Sequence, residues 1–284
     1  MTQKRNKPMA TIQEKQYHTK YGTIHYWVNA FKKGRATLVM LPGLTADHRL
    51  FEKQVEAFES KYNLLVWDAP GHNASRPFEL RFNLEDKARW LHDILTAEGI
   101  EKPVLIGQSM GGYVSQMYIH LYPGEVAGFV SIGSAPLQRE YYTGIELWLL
   151  KHMYPVYRMY PWKALVRDGS RGCATSDYGR NLMRDMMLTY EGAFEEYCRL
   201  TSHGFRMLAE AVEQNLAYEI DCPALLICGE RDMAGSAKFY NKRWASKTGF
   251  QLEWIPDAGH NTNTDKPELV NALIEKFVQG SGKD

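Results

Sequence analysis

The sequence predicts an α/β protein in which a mostly parallel central sheet is covered by helices on both faces. Two observations lead to this fold class. Short, continuously apolar runs of strand length alternate with longer segments in which apolar residues recur at helical spacing. Strands that are apolar throughout are typical of parallel sheets, because helices cover such sheets on both sides.

The strands are expected at apolar or β-like runs that end in turn signals. They lie at residues 16–20, 23–29, 36–41, 63–67, 104–106, 126–132, 224–228 and 251–255. Tyr21-Gly22 stands between the first two runs as a hairpin signal. The third run stops at Pro42-Gly43, a pair of residues that favours a turn.

Helices are expected between most of these strands. Asp47 is placed to cap a helix that runs to about residue 60. In residues 84–95 and 110–121 the apolar side chains share one helical face, which indicates packing against the sheet. Two further helices are predicted near the end of the chain, over residues 236–247 and 267–279.

Residues 137–214 break this alternation, and we interpret them as a mostly helical cap inserted into the core. The segment has no apolar strand runs, and its large aromatic side chains are expected to be mainly ordinary helical packing. These aromatics are Trp148, Tyr154, Tyr157, Tyr160, Trp162, Phe194 and Phe205. The predicted organisation is a loose tail over residues 1–14, a core over 15–136 and 215–284, and the cap over 137–214.

The composition narrows the classes of protein and of partner. A net charge of +1 with 44% hydrophobic and 24% charged residues is typical of a globular chain, not a disordered, collagen-like or coiled-coil one. Balanced charge argues against a nucleic-acid partner, since phosphate binding needs a basic surplus. No apolar run has the length of a signal core or a membrane span, so no membrane partner is expected.

The cysteines favour a reducing compartment. Cys173, Cys198, Cys222 and Cys228 form no CxxC pair, which disfavours a zinc or redox motif. Cys222 and Cys228 fall on one predicted strand at a separation of about 20 Å, which is too long for a disulfide. Four reduced thiols are therefore expected, and with them a cytoplasmic location.

The strongest chemical signal is the segment Gly107-Gln108-Ser109-Met110-Gly111-Gly112. It follows a predicted strand and opens a predicted helix, which is the context of a nucleophile elbow. A serine on so tight a turn has an unfavourable backbone conformation, and the residues two before and two after it must be tiny. Gly107 and Gly111 meet that need. The Met110 amide then lies at a helix N-terminus, where it can stabilise a developing oxyanion.

A serine hydroxyl needs a general base, and one of the nine histidines is placed to supply it. His260 follows the last predicted strand, which puts it at the carboxyl edge of the sheet beside Ser109. The preceding strand runs into two acids, of which Asp232 is our choice as orienting carboxylate and Glu230 the alternative. A glycine-rich turn whose serine only caps a helix would not explain why all three residues directly follow their own strands.

These motifs resemble the α/β-hydrolase superfamily, in the lidded branch that contains esterases, enol-lactonases and proline-type aminopeptidases. The resemblance covers about residues 16–279 and is carried by the elbow and by Leu41-Pro42-Gly43-Leu44, Asp68–Ser75, Gly229–Asp232 and Gly259-His260. It implies the α/β-hydrolase fold and a second oxyanion donor at the Leu44 amide. It also implies that the helical cap is a lid whose aromatics form an apolar pocket over Ser109.

The chain departs from the family pattern at two positions. Pro42 stands where histidine is common, so any hydrogen bond from that histidine is missing. Asn73 replaces a common glycine, and asparagine tolerates a positive φ better than most residues. Asp68 and His72 in the same loop are interpreted as structural, and Asp257 is assigned to the turn before His260.

The resemblance implies a serine hydrolase that cleaves a small carboxylic ester or lactone through an acyl-enzyme on Ser109. The expected partner is a small-molecule acyl substrate, with no metal and no organic cofactor. Because serine and not aspartate holds the nucleophile position, the dehalogenase and epoxide-hydrolase chemistries of resembling families are disfavoured. The alternatives are a thioesterase, a small-molecule receptor of low turnover, and a proline-type aminopeptidase, for which Glu195 and Glu196 are the acids that would receive an amine.

Overall fold

The centre of the molecule is a mostly parallel sheet, as predicted. In the computed structural model, which describes residues 12–281, its eight strands are β1 (Gln13–Thr19), β2 (Gly22–Val28), β3 (Thr37–Leu41), β4 (Asn63–Trp67), β5 (Val104–Gln108), β6 (Gly128–Ile132), β7 (Ala224–Gly229) and β8 (Gln251–Ile255). Their order is β1-β2-β4-β3-β5-β6-β7-β8. The β1–β2 and β2–β4 pairs are antiparallel, and the other pairs are parallel.

The α-helices of residues 12–281 fall into two groups. Those that flank the sheet are α1 (Glu52–Phe58), α2 (Leu84–Ala97), α3 (Met110–Leu121), α9 (Ala237–Thr248), α10 (Thr262–Asp265) and α11 (Pro267–Ser281). Those inserted between β6 and β7 are α4 (Gly144–Lys151), α5 (Met153–Met159), α6 (Trp162–Cys173), α7 (Asp177–Leu188) and α8 (Phe194–Glu213). The inserted segment is therefore helical, as the sequence predicts.

The hydrophobic core is divided by the sheet into two layers. Successive side chains of a strand point to opposite faces, so Val39 and Leu41 of β3 pack into one layer and Leu38 and Met40 into the other. Helices α2, α3 and α9 cover the first face, and α1 and α11 cover the second. Both faces of the sheet are buried, which explains why its central strands are continuously apolar in sequence.

Several element boundaries differ from the prediction. The predicted tail lies outside the described residues up to residue 11, but Gln13 and Glu14 belong to β1 and pair with β2. The helix expected after Asp47 is split. Asp47 accepts a hydrogen bond from the Arg49 amide and caps a 3₁₀ turn, and α1 begins only at Glu52. The short helix α10 was not predicted.

Three of the seven aromatic residues singled out in the inserted segment pack against the core, partly buried, as expected of them. None of the seven aromatics singled out from the sequence is fully buried, and Trp148 and Tyr160 are exposed. Tyr157 stacks loosely on Phe205, and Trp162 contacts Tyr197 edge to face. The segment thus carries more apolar surface than its own folding buries.

Two other expectations concern the whole chain. All four cysteines are free thiols, as predicted. Every helix within residues 12–281 is too short or too polar to cross a membrane.

Candidate active site

Ser109 occupies a strained corner between the central strand β5 and helix α3. Its backbone angles are φ 51° and ψ −116°, a region that residues with side chains rarely adopt. The corner closes only because its neighbours lack side chains. A Cβ on Gly107 would lie 2.4 Å from the Gly112 nitrogen, and one on Gly111 would lie 1.8 Å from the Leu41 carbonyl oxygen.

A histidine and an aspartate from two other strand ends form a hydrogen-bonded pair. His260 follows β8 and Asp232 follows β7, and the His260 Nδ1 to Asp232 Oδ2 distance is 2.9 Å. The Asp232 carboxylate is fully buried, and its other oxygen accepts the Ala234 amide at 2.8 Å. With Nδ1 donating to the carboxylate, the neutral imidazole keeps the lone pair of Nε2 available to accept a proton.

The end of β6 joins the serine corner to this pair. The Ile132 carbonyl accepts the Ser109 amide at 2.9 Å. The next residue, Gly133, has φ 60°, and a Cβ there would lie 3.1 Å from His260 Nδ1 and 3.3 Å from Asp232 Oδ2. Gly133 therefore lets the imidazole and the carboxylate lie directly against the strand end that holds Ser109. No local sequence pattern marks Gly133 for this role.

Gln108, the residue before Ser109, forms a second link, to the loop that carries His260 and Asn261. We refer to this loop as the histidine loop. Its side-chain amide donates to the His260 carbonyl at 3.3 Å and to Asn261 Oδ1 at 3.2 Å. Gln108 is buried, so these bonds tie the elbow to the loop in a site shielded from water. In the sequence, Gln108 is recognisable only as part of the elbow motif, because its partners lie far along the chain.

The loop after β3 reaches the same corner. A Cβ on Gly43 would lie 2.3 Å from Gln108 Oε1 and 3.0 Å from Ser109 Cβ, so only glycine fits there. The amide of Leu44 donates no hydrogen bond to any group in residues 12–281. The amide of Met110 is the first of helix α3, where no carbonyl of the preceding turn can accept it.

Asp265 holds the histidine loop in place through hydrogen bonds. The sequence does not predict this role. This carboxylate is 8% exposed and accepts the Gly259 amide at 2.7 Å. It also accepts both the amide and the hydroxyl of Thr175 and of Ser176, at 2.8 to 3.0 Å. The loop that carries His260 is therefore fastened to the start of α7 through one buried carboxylate.

Inserted helices also lie directly on the loops of the site. The Met183 sulfur of α7 is 3.6 Å from the Asn261 side-chain nitrogen. The α8 helix approaches through Gly204, where a Cβ would lie 2.6 Å from Leu44 Cδ1. Helix α7 thus contacts the histidine loop, and helix α8 contacts the loop after β3.

The other acids considered near His260 lie apart from it. Asp232 and not Glu230 contacts the imidazole, and Glu230 is exposed. Asp257 has φ 59° in the turn before His260 and forms an exposed ion pair with Arg231. Both findings agree with the assignment of Asp257 to the turn.

Asp68 organises the loop after β4 by accepting hydrogen bonds from the residues around it. Asp68 accepts the amide and the Nδ1 of His48 at 2.7 and 2.8 Å, and the Ala74 amide at 3.0 Å. Burial lowers the pKa of His72 to about 3, so its imidazole stays neutral while Nδ1 lies 3.1 Å from the Pro70 carbonyl. Asn73 has the positive φ expected of it, 35°.

One cluster in residues 12–281 has the spacing of a metal site. Ligand atoms of Asp47, His48 and Asp68 lie within 4.8 Å of one another. However, Arg49 donates to both Asp47 oxygens, at 2.9 and 2.6 Å, and Asp68 is occupied by His48 and the neighbouring loop. A cation would have to displace a guanidinium and several hydrogen bonds, so the cluster is better described as an internal salt-bridge network.

The arrangement of sheet, elbow and strand-end residues defines a protein class, and comparison with known proteins agrees. The alpha/beta hydrolase family matches residues 38–273 of this chain. The chain therefore belongs to the alpha/beta hydrolase family, and it is a hydrolase of that family.

Individual relatives differ in chemistry. Human "Epoxide hydrolase 4" is 24% identical over 91% of this chain and 76% of its own length. The Cif epoxide hydrolase from Acinetobacter nosocomialis superposes with a TM-score of 0.79 at 14% identity, over 94% of this chain and 89% of its own. The N-acyl homoserine lactonase AidH superposes with a TM-score of 0.74 at 20% identity, over 96% and 98%. At these identities the structural likenesses establish the fold alone.

Proposed function

We propose that this chain is a serine hydrolase that cleaves a small carboxylic ester or lactone, with Ser109, Asp232 and His260 as its catalytic triad. One observation carries the proposal. The hydrogen-bonded His260–Asp232 pair packs against Gly133, and the residue before that glycine holds the amide of the strained Ser109. A nucleophile corner and an oriented base therefore meet at one strand end.

In the proposed reaction, the Ser109 hydroxyl attacks the substrate carbonyl carbon while His260 Nε2 takes the hydroxyl proton. Asp232 fixes the imidazole tautomer and stabilises the positive charge that forms on it. The amides of Leu44 and Met110 donate to the oxyanion, a contribution of about 3 kcal/mol per donor. His260 then returns the proton to the leaving alcohol, and water releases the acid from the Ser109 ester.

The inserted helices act as the lid in this proposal. Helices α7 and α8 contact both loops beside Ser109, through Met183 and Gly204. Buried apolar side chains of these helices, including Leu182, Met186 and Leu200, face the core beneath the lid. A lid of this composition favours a small substrate with an apolar acyl group.

The residue at position 109 favours ester chemistry over the epoxide chemistry named for two of the relatives. The resemblance given by the sequence links dehalogenase and epoxide-hydrolase reactions to an aspartate nucleophile, whereas this chain has serine. A serine hydroxyl forms an ester with an acyl group, which a base-activated water then hydrolyses. The lactonase likeness is compatible with this reaction, since a lactone is a cyclic ester.

The test is substitution of the nucleophile with a matched serine control. Ser109→Ala is expected to lower turnover of nitrophenyl acetate at least about 10³-fold, because the hydroxyl that attacks the carbonyl is removed. Ser115→Ala, in the helix that follows Ser109 and with its hydroxyl donating to the Gly111 carbonyl, should retain turnover. A fluorophosphonate should label the wild type and the control once and leave Ser109→Ala unlabelled.

The alternatives give different outcomes. Labelling of Ser109→Ala at the wild-type level would refute the assignment of the nucleophile. A burst below one equivalent with no further turnover would identify a receptor of low turnover in place of a hydrolase. A panel of esters, lactones, thioesters and proline amides separates the esterase from the thioesterase and the aminopeptidase.

A further inference from the structure

An apolar face on the inserted helices is left uncovered. Of the thirteen large hydrophobic residues that are exposed within residues 12–281, six fall in a stretch of sixteen residues. They are Ile145, Trp148, Leu149, Val156, Met159 and Tyr160. Met159 is 83% exposed and Ile145 74% exposed, which is far more than the edge of a core would leave. We refer to these six residues as the apolar face.

The apolar face follows the helical repeat. In α4 its members lie at positions i, i+3 and i+4, whereas α5 carries two members three residues apart and Tyr160 follows that helix as its extended C-cap. The opposite side of the two helices is the one used for folding, since Leu147 is buried and both helices pack against α8. His152, between the helices, stacks on Trp148 with ring centroids 4.3 Å apart.

The segment that carries this face is rich in basic residues. Residues 144–173 contain five basic and two acidic residues, a net charge of +3 in a chain whose total is +1. Lys151 and Arg158 lie within the stretch and form surface ion pairs with Glu213 and Glu195 of α8, whereas Lys163 follows it, exposed and without an ion pair in the described part of the chain. Exposed aliphatic, tryptophan and tyrosine side chains next to lysine and arginine are the composition of helices that lie in the headgroup region of anionic bilayers.

We propose that the apolar face docks on an anionic lipid surface, with α4 and α5 lying in the plane of the headgroups. Docking of this kind needs no helix that spans the bilayer, so the lack of a long apolar run does not bear on it. A second copy of the chain fits less well, because a symmetric contact would bring the +3 segments of two protomers together. The proposal does not depend on the ester-hydrolase assignment.

The test is co-sedimentation of the full chain with lipid vesicles. We expect binding to equimolar phosphatidylcholine and phosphatidylglycerol, and binding at least about tenfold weaker to phosphatidylcholine alone, because the basic residues then lack a counter-charge. The double variant Ile145→Ser with Met159→Ser should bind the mixed vesicles at least about tenfold more weakly, since two inserted side chains are lost.

The matched control is Phe239→Ser, which removes a side chain of 62% exposure on α9, outside the apolar face. It should bind like the wild type, and thermal melting should show that all variants are folded. Three outcomes would overturn the proposal: no wild-type binding to mixed vesicles, equal binding to both kinds of vesicle, or equal loss in the control. Sedimentation velocity without lipid tests whether a second copy of the chain covers the apolar face instead. If the wild type is a dimer and the double variant is a monomer, the face mediates self-association and the proposal is wrong.

Discussion

Two histidine–aspartate pairs of nearly equal geometry occur in this molecule, and only one of them lies at the serine corner. The Nδ1-to-carboxylate distance is 2.9 Å for His260 and Asp232 and 2.8 Å for His48 and Asp68. Both carboxylates are fully buried. Hydrogen bonding between an imidazole and a carboxylate therefore does not by itself distinguish a candidate catalytic site from a structural one.

The surroundings make the difference. The Asp68 carboxylate accepts hydrogen bonds from His48, Asn73 and Ala74, so it joins the loops that follow β3 and β4. The His48 ring stacks on Trp27 with centroids 3.7 Å apart. His260 has no such stacking partner within residues 12–281, and it lies beside the strained serine. The surroundings of the imidazole, rather than the pair itself, therefore distinguish the candidate site from the structural pair.

The largest expected contrast is between the two histidines. His260→Ala should lower kcat for a nitrophenyl ester at least about 10⁵-fold, because no base remains to accept the Ser109 proton. His48→Ala should leave kcat within about threefold and lower the free energy of unfolding by about 1–3 kcal/mol, from lost stacking and an unpaired carboxylate. Steady-state kinetics and urea unfolding measure both. Equal loss of kcat in the two variants would break the distinction.

Substitutions of the two aspartates should differ from each other in the same way, with a smaller difference in kcat. Asp232→Asn keeps the shape of the pair but presents an amide to the imidazole, and a fall in kcat of about 10³- to 10⁴-fold is expected. Asp68→Asn should mainly lower stability, by about 2–4 kcal/mol, because several donors lose a charged acceptor. A wild-type kcat in Asp232→Asn would remove Asp232 from the triad.

A smaller effect is expected at Asp265, which holds the histidine loop without touching the imidazole. Asp265→Asn replaces an acceptor oxygen with a donor opposite the Gly259, Thr175 and Ser176 groups. We expect kcat to fall about 10- to 100-fold with little change in KM, since the base is displaced while the pocket persists. Asp257→Asn in the exposed ion pair nearby is the control. A pure rise in KM would argue for a role in substrate binding instead.

The smallest effect concerns a third buried base, one that has no carboxylate. Lys87 of α2 is 2% exposed, and its amine lies 5.7 Å from the centroid of the Phe82 ring, with no carboxylate partner among the described residues. Burial lowers its pKa to about 7 from 10.5. Lys87→Met should therefore raise the free energy of unfolding at pH 7 by about 1–3 kcal/mol, because the cost of burying this amine disappears.

The sign of the pH dependence checks this interpretation. Between pH 7 and about 10.5 the unfolded lysine binds a proton that the folded one does not, so the wild type gains stability as the pH rises through this range. The advantage of Lys87→Met should shrink over the same range in urea titrations. A variant less stable than the wild type at pH 7 would show that the amine makes a favourable contact.

The sequence by itself predicted the fold class, most strand positions, the elbow and the chain order of the proposed triad. Each of these depends on local rules. The period of apolar residues reports burial on one or both faces, and the steric limits of a tight turn require glycine at 107 and 111. Residues that directly follow parallel strands lie at one edge of the sheet, so Ser109, Asp232 and His260 could be grouped without coordinates.

Only the tertiary structure decided which partners support these residues. Gln108 and His260 are 152 residues apart, and Thr175 and Asp265 are 90 apart. Such contacts depend on the order of strands in the sheet and on where the inserted helices come to rest, which no local pattern encodes. The same reason hid the His48–Asp68 pair and the exposed side of α4 and α5. A periodic pattern shows that a helix has an apolar face, whereas only the packed molecule shows whether another element covers it.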